Sequence, residues 1–245
     1  MHGKEQERWN EDCGRHWWGR GHYAVFRALM SGALRGREGN AGRCLDIGCS
    51  GGAMAEFLRR YGRVCGFDIS LDGLSYCSGS FPVVQADALA VPFKDKSFDI
   101  ITLLDVAEHV EDDGALFGEV ARVAREGALV FVSVPAFMFF WRSHDVRYGH
   151  RRRYTPGMLR RALSPHPFIM EKMVYLHAHF FLPLLVSAMT DRCFVKNFGK
   201  EDDFISAGAL GDRLLLETLL LESRLARWGS LPLGISLFCV LKRTG

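Results

Sequence analysis

The residues with chemical reach in this chain are three aspartates, a cluster of small residues and three histidines. Asp46, Gly48, Cys49, Ser50, Gly51 and Gly52 follow a short apolar run (Cys44, Leu45, Ile47) and precede a helical pattern through Ala53, Met54, Phe57 and Leu58. Strand, tight glycine turn and helix set backbone N–H groups and a helix N-terminus against a ligand, because glycine tolerates positive φ and close approach. No lysine follows the glycines, so a P-loop is excluded. Asp46 inside the turn would repel a pyrophosphate; a cationic or zwitterionic ligand fits better. Asp68 lies 22 positions later (68 − 46), where an acid at the end of a second strand grips ribose hydroxyls. Capping the next helix is its competing role, which Ser70 and Asp72 are equally able to fill. His109, His144 and His150 are candidate general bases, since imidazole titrates near neutral pH. Asp145 is placed to orient either of the later two, while a satisfied structural histidine is the competing reading of His109. The histidines lack H-x-x-x-H spacing and the seven cysteines lack C-x-x-C spacing, so no metal is expected and the thiols read as reduced.

The elements that must position these groups alternate between strand and helix. Val64 to Phe67, ending at Asp68-Ile69, reads as strand two, and Pro82 to Gln85 as strand three. Phe98 to Leu104 is nearly continuous in β-formers, as a parallel strand covered on both faces should be. A helix over Ala115 to Ala124, broken by Gly127, leads to strand five over Ala128 to Val134. Thr155 can cap a helix that has Pro156 at its first position and runs to Leu163. Phe168 to Val174 reads as strand six, Leu210 to Trp228 as a helix and Gly234 to Leu241 as a last strand. The pattern predicts an α/β, doubly wound, mostly parallel sheet, with ligands at the carboxyl ends of its strands. Trp9 to Leu34 is aromatic and helical and precedes the first strand; it reads as either an outer helix or a lid.

On Asp46, Gly48 and Gly52, with Ser50 where a middle glycine is usual, the sequence resembles class I S-adenosylmethionine-dependent methyltransferases. The resemblance runs from Leu45 to about Tyr154. It implies a seven-stranded sheet whose last strand inserts antiparallel between strands five and six, N-terminal lid helices, and a helical insertion before the last strand. One domain results: 1–40 as lid, 41–135 as cofactor-binding core, 136–232 as acceptor side and 233–245 as last strand. It implies S-adenosyl-L-methionine as cofactor and S-adenosyl-L-homocysteine as product. The implied cofactor contacts are Asp46, Gly48, Cys49, Ser50, Gly52, Asp68, Ile69, Asp87 (after strand three, at the adenine amino group), Ala88, Leu104, Asp105 and His109, with Trp18 and Arg20 from the lid. Trp17-Trp18-Gly19-Arg20-Gly21 and the segment Gly149-His150-Arg151-Arg152-Arg153-Tyr154 resemble one bacterial subgroup.

Phe137, Trp141, Asp145, Arg152 and Tyr154 are the candidate acceptor contacts. Seven arginines against one acid between Arg142 and Arg161 read as a solvated basic face or as a clamp on an anionic acceptor. A net charge of +3 does not imply a nucleic-acid partner. The apolar Leu176 to Met189 stretch is too short to span a bilayer; a packed helix, an acceptor pocket and a surface dipping into a membrane all remain open for it. A polar N-terminus without an apolar core carries no secretory signal, so the expected location is cytoplasmic or peripheral at a membrane. The expected acceptor is a small or lipid-like molecule of biosynthetic or secondary metabolism. A nicotinamide-dependent oxidoreductase and a non-catalytic cofactor-binding protein are the alternatives.

Overall fold

A computed structural model describes residues 16–39, 42–77, 79–186, 208–225 and 232–245. Its strands are β1 (Gly42–Ile47), β2 (Gly62–Asp68), β3 (Val83–Gln85), β4 (Phe98–Leu104), β5 (Ala124–Pro135), β6 (Phe168–Leu176) and β7 (Ser236–Arg243). They form one sheet in the order β3-β2-β1-β4-β5-β7-β6. The pairs from β3 to β5 are parallel, and β7 runs antiparallel to both β5 and β6. The doubly wound sheet and the insertion of the last strand are as the sequence implied.

Successive strand residues face opposite sides, and this divides the core. Leu45, Ile47, Ile101, Leu103, Val130 and Val132 face one layer with α4 (Asp113–Val123) and α6 (Pro156–Leu163). Cys44, Ile100, Phe131 and Val240 face the other with α1 (Trp17–Ala33) and α2 (Ala55–Leu58). Phe26 and Met30 of α1 are fully buried there, each contributing roughly 1.5–3 kcal/mol by removal from water. The remaining helices are α3 (Leu71–Ser75), α5 (Ser143–Arg147) and α7 (Gly208–Leu225). α7 lies across α1 at Gly21, where an added Cβ would come 2.3 Å from Leu219 Cδ1; no other residue permits that approach.

Several boundaries differ from the sequence reading. The helix before β5 ends at Val123, one residue before the expected Ala124, and β5 begins at Ala124 rather than Ala128, because Ala124 already pairs with Phe98 and the register then shifts to Ile100↔Leu129. α5 forms in a stretch to which no element was assigned: Asp145 accepts the N–H of Arg142 at 2.8 Å and closes a first turn. Trp9, Arg227 and residues 187–189 lie outside the described residues. Among the described residues no helix is long and apolar enough to cross a membrane.

Candidate active site

Among the described residues five non-glycine residues have positive φ, and four of them (Ser50, Asp105, Phe137, His177) immediately or closely follow the carboxyl ends of β1, β4, β5 and β6. Such strain concentrates at functional sites, and here it lines one crest of the sheet. Gly48 and Gly52 turn the loop after β1 with φ of 69° and 77°. A Cβ on Gly48 would sit 2.4 Å from Val106 Cγ2. Ser50 itself takes the left-handed conformation, φ 42°, rather than passing it to Gly51. Its N–H donates to Asp68 Oδ2 at 2.9 Å, which holds the turn against β2.

Asp46 is buried at the end of β1 and accepts from Thr102 Oγ1 at 2.6 Å. Burial pushes its carboxyl up to about 7, more than the Thr102 hydrogen bond draws it down. It lines a cavity of about 20 Å³ together with Tyr23, Gly48, Cys49, Ala53, Met54 and Leu104. Asp68 accepts from Ser70 N at 2.9 Å through Oδ1, whereas Ser70 Oγ caps α3 by accepting from Gly73 N at 3.1 Å. Asp68 is therefore not the helix cap, and each of its oxygens keeps a further lone pair. Beside it Ile69 is 69% exposed, a large apolar side chain at the crest. Asp87 is exposed, and its Oδ1 accepts from Leu89 N at 2.9 Å; Ala88 beside it is half-buried.

The lid residues differ from expectation. Trp17 is buried against Leu216, Leu219 and Phe180, and Arg20 is exposed, so neither faces the cavity. Trp18 stacks on His22 one turn later, with ring centroids 5.2 Å apart. Side chains three to four residues apart share a helix face, and the faces of α1 nearest the crest carry Tyr23 and His22. His22 was not recognised from sequence. Its Nε2 lies 2.8 Å from Asp105 Oδ2 and its Nδ1 2.9 Å from His177 Nε2. Asp105 Oδ1 also accepts from Ser133 Oγ at 2.9 Å. Burial would raise the Asp105 carboxyl, but His22 and Ser133 outweigh it and hold the group below its ordinary value. The His177 imidazole is driven well below its usual range by burial, then by His22. The backbone N–H of His177 donates to buried Glu222 of α7. α1, β4, β5, the segment after β6 and α7 thus meet in one polar chain.

Three arginines of the basic segment, Arg151, Arg152 and Arg153, are used in internal ties. Arg152 Nη2 donates to Val110 O at 3.1 Å and its Nη1 lies 3.2 Å from Asp113 Oδ2. Arg151 Nε donates to His109 O at 3.1 Å. Arg153 grips buried Asp145 with both arms of its fork, at 2.7 and 3.0 Å. Asp145 also receives His150 Nδ1 at 2.8 Å, and these donors outweigh burial and hold its carboxyl well below the usual range. Asp145, Arg152 and Tyr154, expected at the acceptor, are instead structural. Tyr154 is fully buried, its hydroxyl 3.2 Å from Ala107 O and 2.9 Å from Asp113 Oδ2. Composition shows the sign of a charge run but not the carbonyls that consume it.

Phe137, Phe139, Phe140, Phe181 and Tyr175 form an aromatic cluster, with Phe137 stacked on Tyr175 at 5.5 Å and 16°; half-buried Trp141 ends the same segment. His109 and His150 meet edge to face at 4.8 Å, and His144 lies 5.9 Å from His150. Burial lowers the His109 imidazole to about 4, too low for an effective base at neutral pH. Neighbouring Glu108 is fully buried, with its carboxyl raised well above the ordinary value by burial and by Asp105.

Residues 45–132 match the family model described as a methyltransferase domain. The chain is 33% identical over 147 residues to the ubiquinone biosynthesis O-methyltransferase of Cupriavidus pinatubonensis, covering 53% of this chain and 57% of that one. It is 37% identical over 148 residues to the demethylmenaquinone methyltransferase of Roseiflexus castenholzii, covering 56% and 59% respectively. The match thus spans less than two thirds of these curated relatives. A SAM-dependent methyltransferase structure from Archaeoglobus fulgidus superposes with a TM-score of 0.56 at 20% identity, over 89% of this chain and 94% of that one. Geranyl diphosphate methyltransferase in complex with SAM gives 0.56 at 15% identity, over 90% and 85%. These two likenesses show the shared fold.

Proposed function

We infer that this chain, whose residues 45–132 match the methyltransferase-domain model, is a class I methyltransferase that moves a methyl group from S-adenosyl-L-methionine to an apolar small molecule and releases S-adenosyl-L-homocysteine. The observation that carries the reading is Asp46, a buried carboxylate that accepts a hydrogen bond from Thr102 Oγ1 and lines a cavity between the glycine loop and Tyr23 of α1. A carboxylate in that setting is completed by a cation, and the amino-acid end of the cofactor carries one. Asp68, with acceptor capacity left on both oxygens, suits ribose hydroxyls. Ile69 and the Asp87-Ala88 turn suit the adenine ring. The cofactor supplies an electrophilic methyl group, so the chain has mainly to position the acceptor and keep water out, an effect worth roughly 7–11 kcal/mol.

A space of about 20 Å³ admits a water molecule and not a nucleoside. It suits the ammonium end of the cofactor alone, with the ribose and adenine outside it toward Asp68 and Ile69. The aromatic cluster around Phe137 suits an acceptor with an apolar body. The curated relatives named for ubiquinone and menaquinone intermediates favour a quinone- or lipid-like one. His144 remains the candidate for removing a proton, since His150 Nδ1 is already tied to Asp145; alanine at His144 should lower turnover while leaving cofactor affinity intact.

The test is calorimetry of the full chain with S-adenosylhomocysteine and with NADH, followed by mass-spectrometric detection of methyl transfer to quinol and fatty-acid acceptors. Binding of the sulfur nucleoside alone, abolished in Asp46→Asn, is expected. Binding of the nicotinamide instead would establish the oxidoreductase reading, and cofactor binding without transfer to any acceptor would favour a non-catalytic role.

A further inference from the structure

Just beyond β4, Glu108 and His109 are drawn against His150, which comes from a turn 41 positions later (150 − 109). One donor atom from each of the three lies within 4.8 Å of the others. Glu108 is fully buried, and neither carboxylate oxygen has a hydrogen-bond partner. A buried carboxylate without donors is a costly arrangement that a protein keeps only when something completes it. The two imidazoles are oriented from behind. His150 Nδ1 is held by Asp145 at 2.8 Å, which directs Nε2 toward the cluster. His109 is hydrogen-bonded to the backbone carbonyl of Gly149. Asp145 is itself fixed by the fork of Arg153 and by the N–H of Arg142.

We propose that Glu108, His109 and His150 form a site for one divalent first-row transition ion, zinc or an ion of zinc-like preference, with at least one coordination position open. Two imidazoles and a carboxylate are the donor set of such ions, whereas magnesium and calcium take oxygen. Three protein ligands with a vacant fourth position is the arrangement of catalytic rather than structural zinc. A carboxylate or a backbone carbonyl behind each histidine is the outer shell such ligands use. Metal–donor distances of about 2.0–2.2 Å need donors roughly 3.3 Å apart. The contraction falls on Glu108, whose oxygens no hydrogen bond restrains. No metal spacing is visible in the sequence because two ligands are adjacent and the third is distant. If the chain methylates an acceptor as inferred above, the open position would suit an acceptor oxygen; the binding of the ion does not depend on that reading.

The experiment is titration of the chelator-stripped full chain with Co2+, read by its visible ligand-field absorption, and with Zn2+ in competition with a chromophoric chelator. One ion per chain is expected. Glu108→Gln and His150→Gln should each weaken binding at least tenfold, and Asp145→Asn should weaken it 10–100-fold through His150. His109→Gln is a further ligand variant, and near-UV circular dichroism identifies any variant that has lost its fold. Substoichiometric binding by the wild-type chain, or equal affinity in wild type and folded Glu108→Gln and His150→Gln, overturns the site. Calorimetry with S-adenosylhomocysteine on the same stripped protein separates that result from a failure of the methyl-transfer reading.

Discussion

Asp46→Asn should make the ligand-free chain more stable while disabling it. Asp46 is buried, and its carboxyl is pushed from an ordinary 3.8 up to about 7, chiefly by burial. The folded state therefore binds this proton more tightly than the unfolded state. Its contribution is fully present below about 3.8 and is lost as pH rises to about 7. The shift is about 3 pH units, and at about 1.4 kcal/mol per unit the loss approaches 4 kcal/mol. Asparagine cannot ionise and can still accept from Thr102 Oγ1. The difference in unfolding free energy, mutant over wild type, should be near zero at pH 3.5 and climb to several kcal/mol at pH 8. Urea titrations at steps of half a pH unit measure it, and titrations common to both proteins cancel in the difference. Affinity of the wild type for S-adenosylhomocysteine should rise roughly tenfold per unit below about pH 7 and then level, as the carboxylate ionises. The mutant should show neither the rise nor the affinity. An Asp46→Asn protein no more stable than wild type at pH 8, or a flat wild-type binding profile, refutes the reasoning.

Three further outcomes are expected. Gly48→Ala must place a Cβ 2.4 Å from Val106 Cγ2 at φ 69°, and should cost about 1–3 kcal/mol in a denaturant titration. Asp145→Ala strands the Arg153 fork and frees His150, costing about 3–5 kcal/mol. Because the Asp145 carboxyl is held below its usual range, the stability it supplies is present above about pH 3.9 and lost as pH falls, so the mutant's deficit should shrink in acid. Tyr154→Phe removes only the hydroxyl contacts to Ala107 and Asp113; stability should fall by about 1 kcal/mol with KM for any acceptor unchanged. A several-fold rise in KM would return Tyr154 to the acceptor surface.

What the sequence revealed and what it concealed divide along physical lines. β4 and the centre of β5 are runs of apolar and β-branched residues because neighbours cover both faces, and this local signature was readable. The Asp46 to Gly52 turn was readable because positive φ at Gly48 and Gly52 restricts residue type. His22, His177 and Glu222 were not, since they come from α1, the segment after β6 and α7 and meet only in three dimensions. Phase along a helix was also hidden: Trp17 and Tyr23 are alike in composition, yet one packs on α7 and the other lines the cavity. The arginines misled because Val110 O, His109 O and Asp145, which consume them, leave no trace in a charge count.

The placement of β7 has a consequence for how the chain matures. Leu129 of β5 pairs with Lys242, 113 positions later, and β6 also hydrogen-bonds only to this strand within the sheet. Until Ser236–Arg243 is available, two strands present open backbone edges to one another across an unfilled slot. Such pairing over long sequence separation is slow, and open edges recruit strands from other molecules. Yield on refolding should therefore fall steeply with protein concentration, and a peptide spanning 236–243 added in excess should compete for the slot and divert the chain.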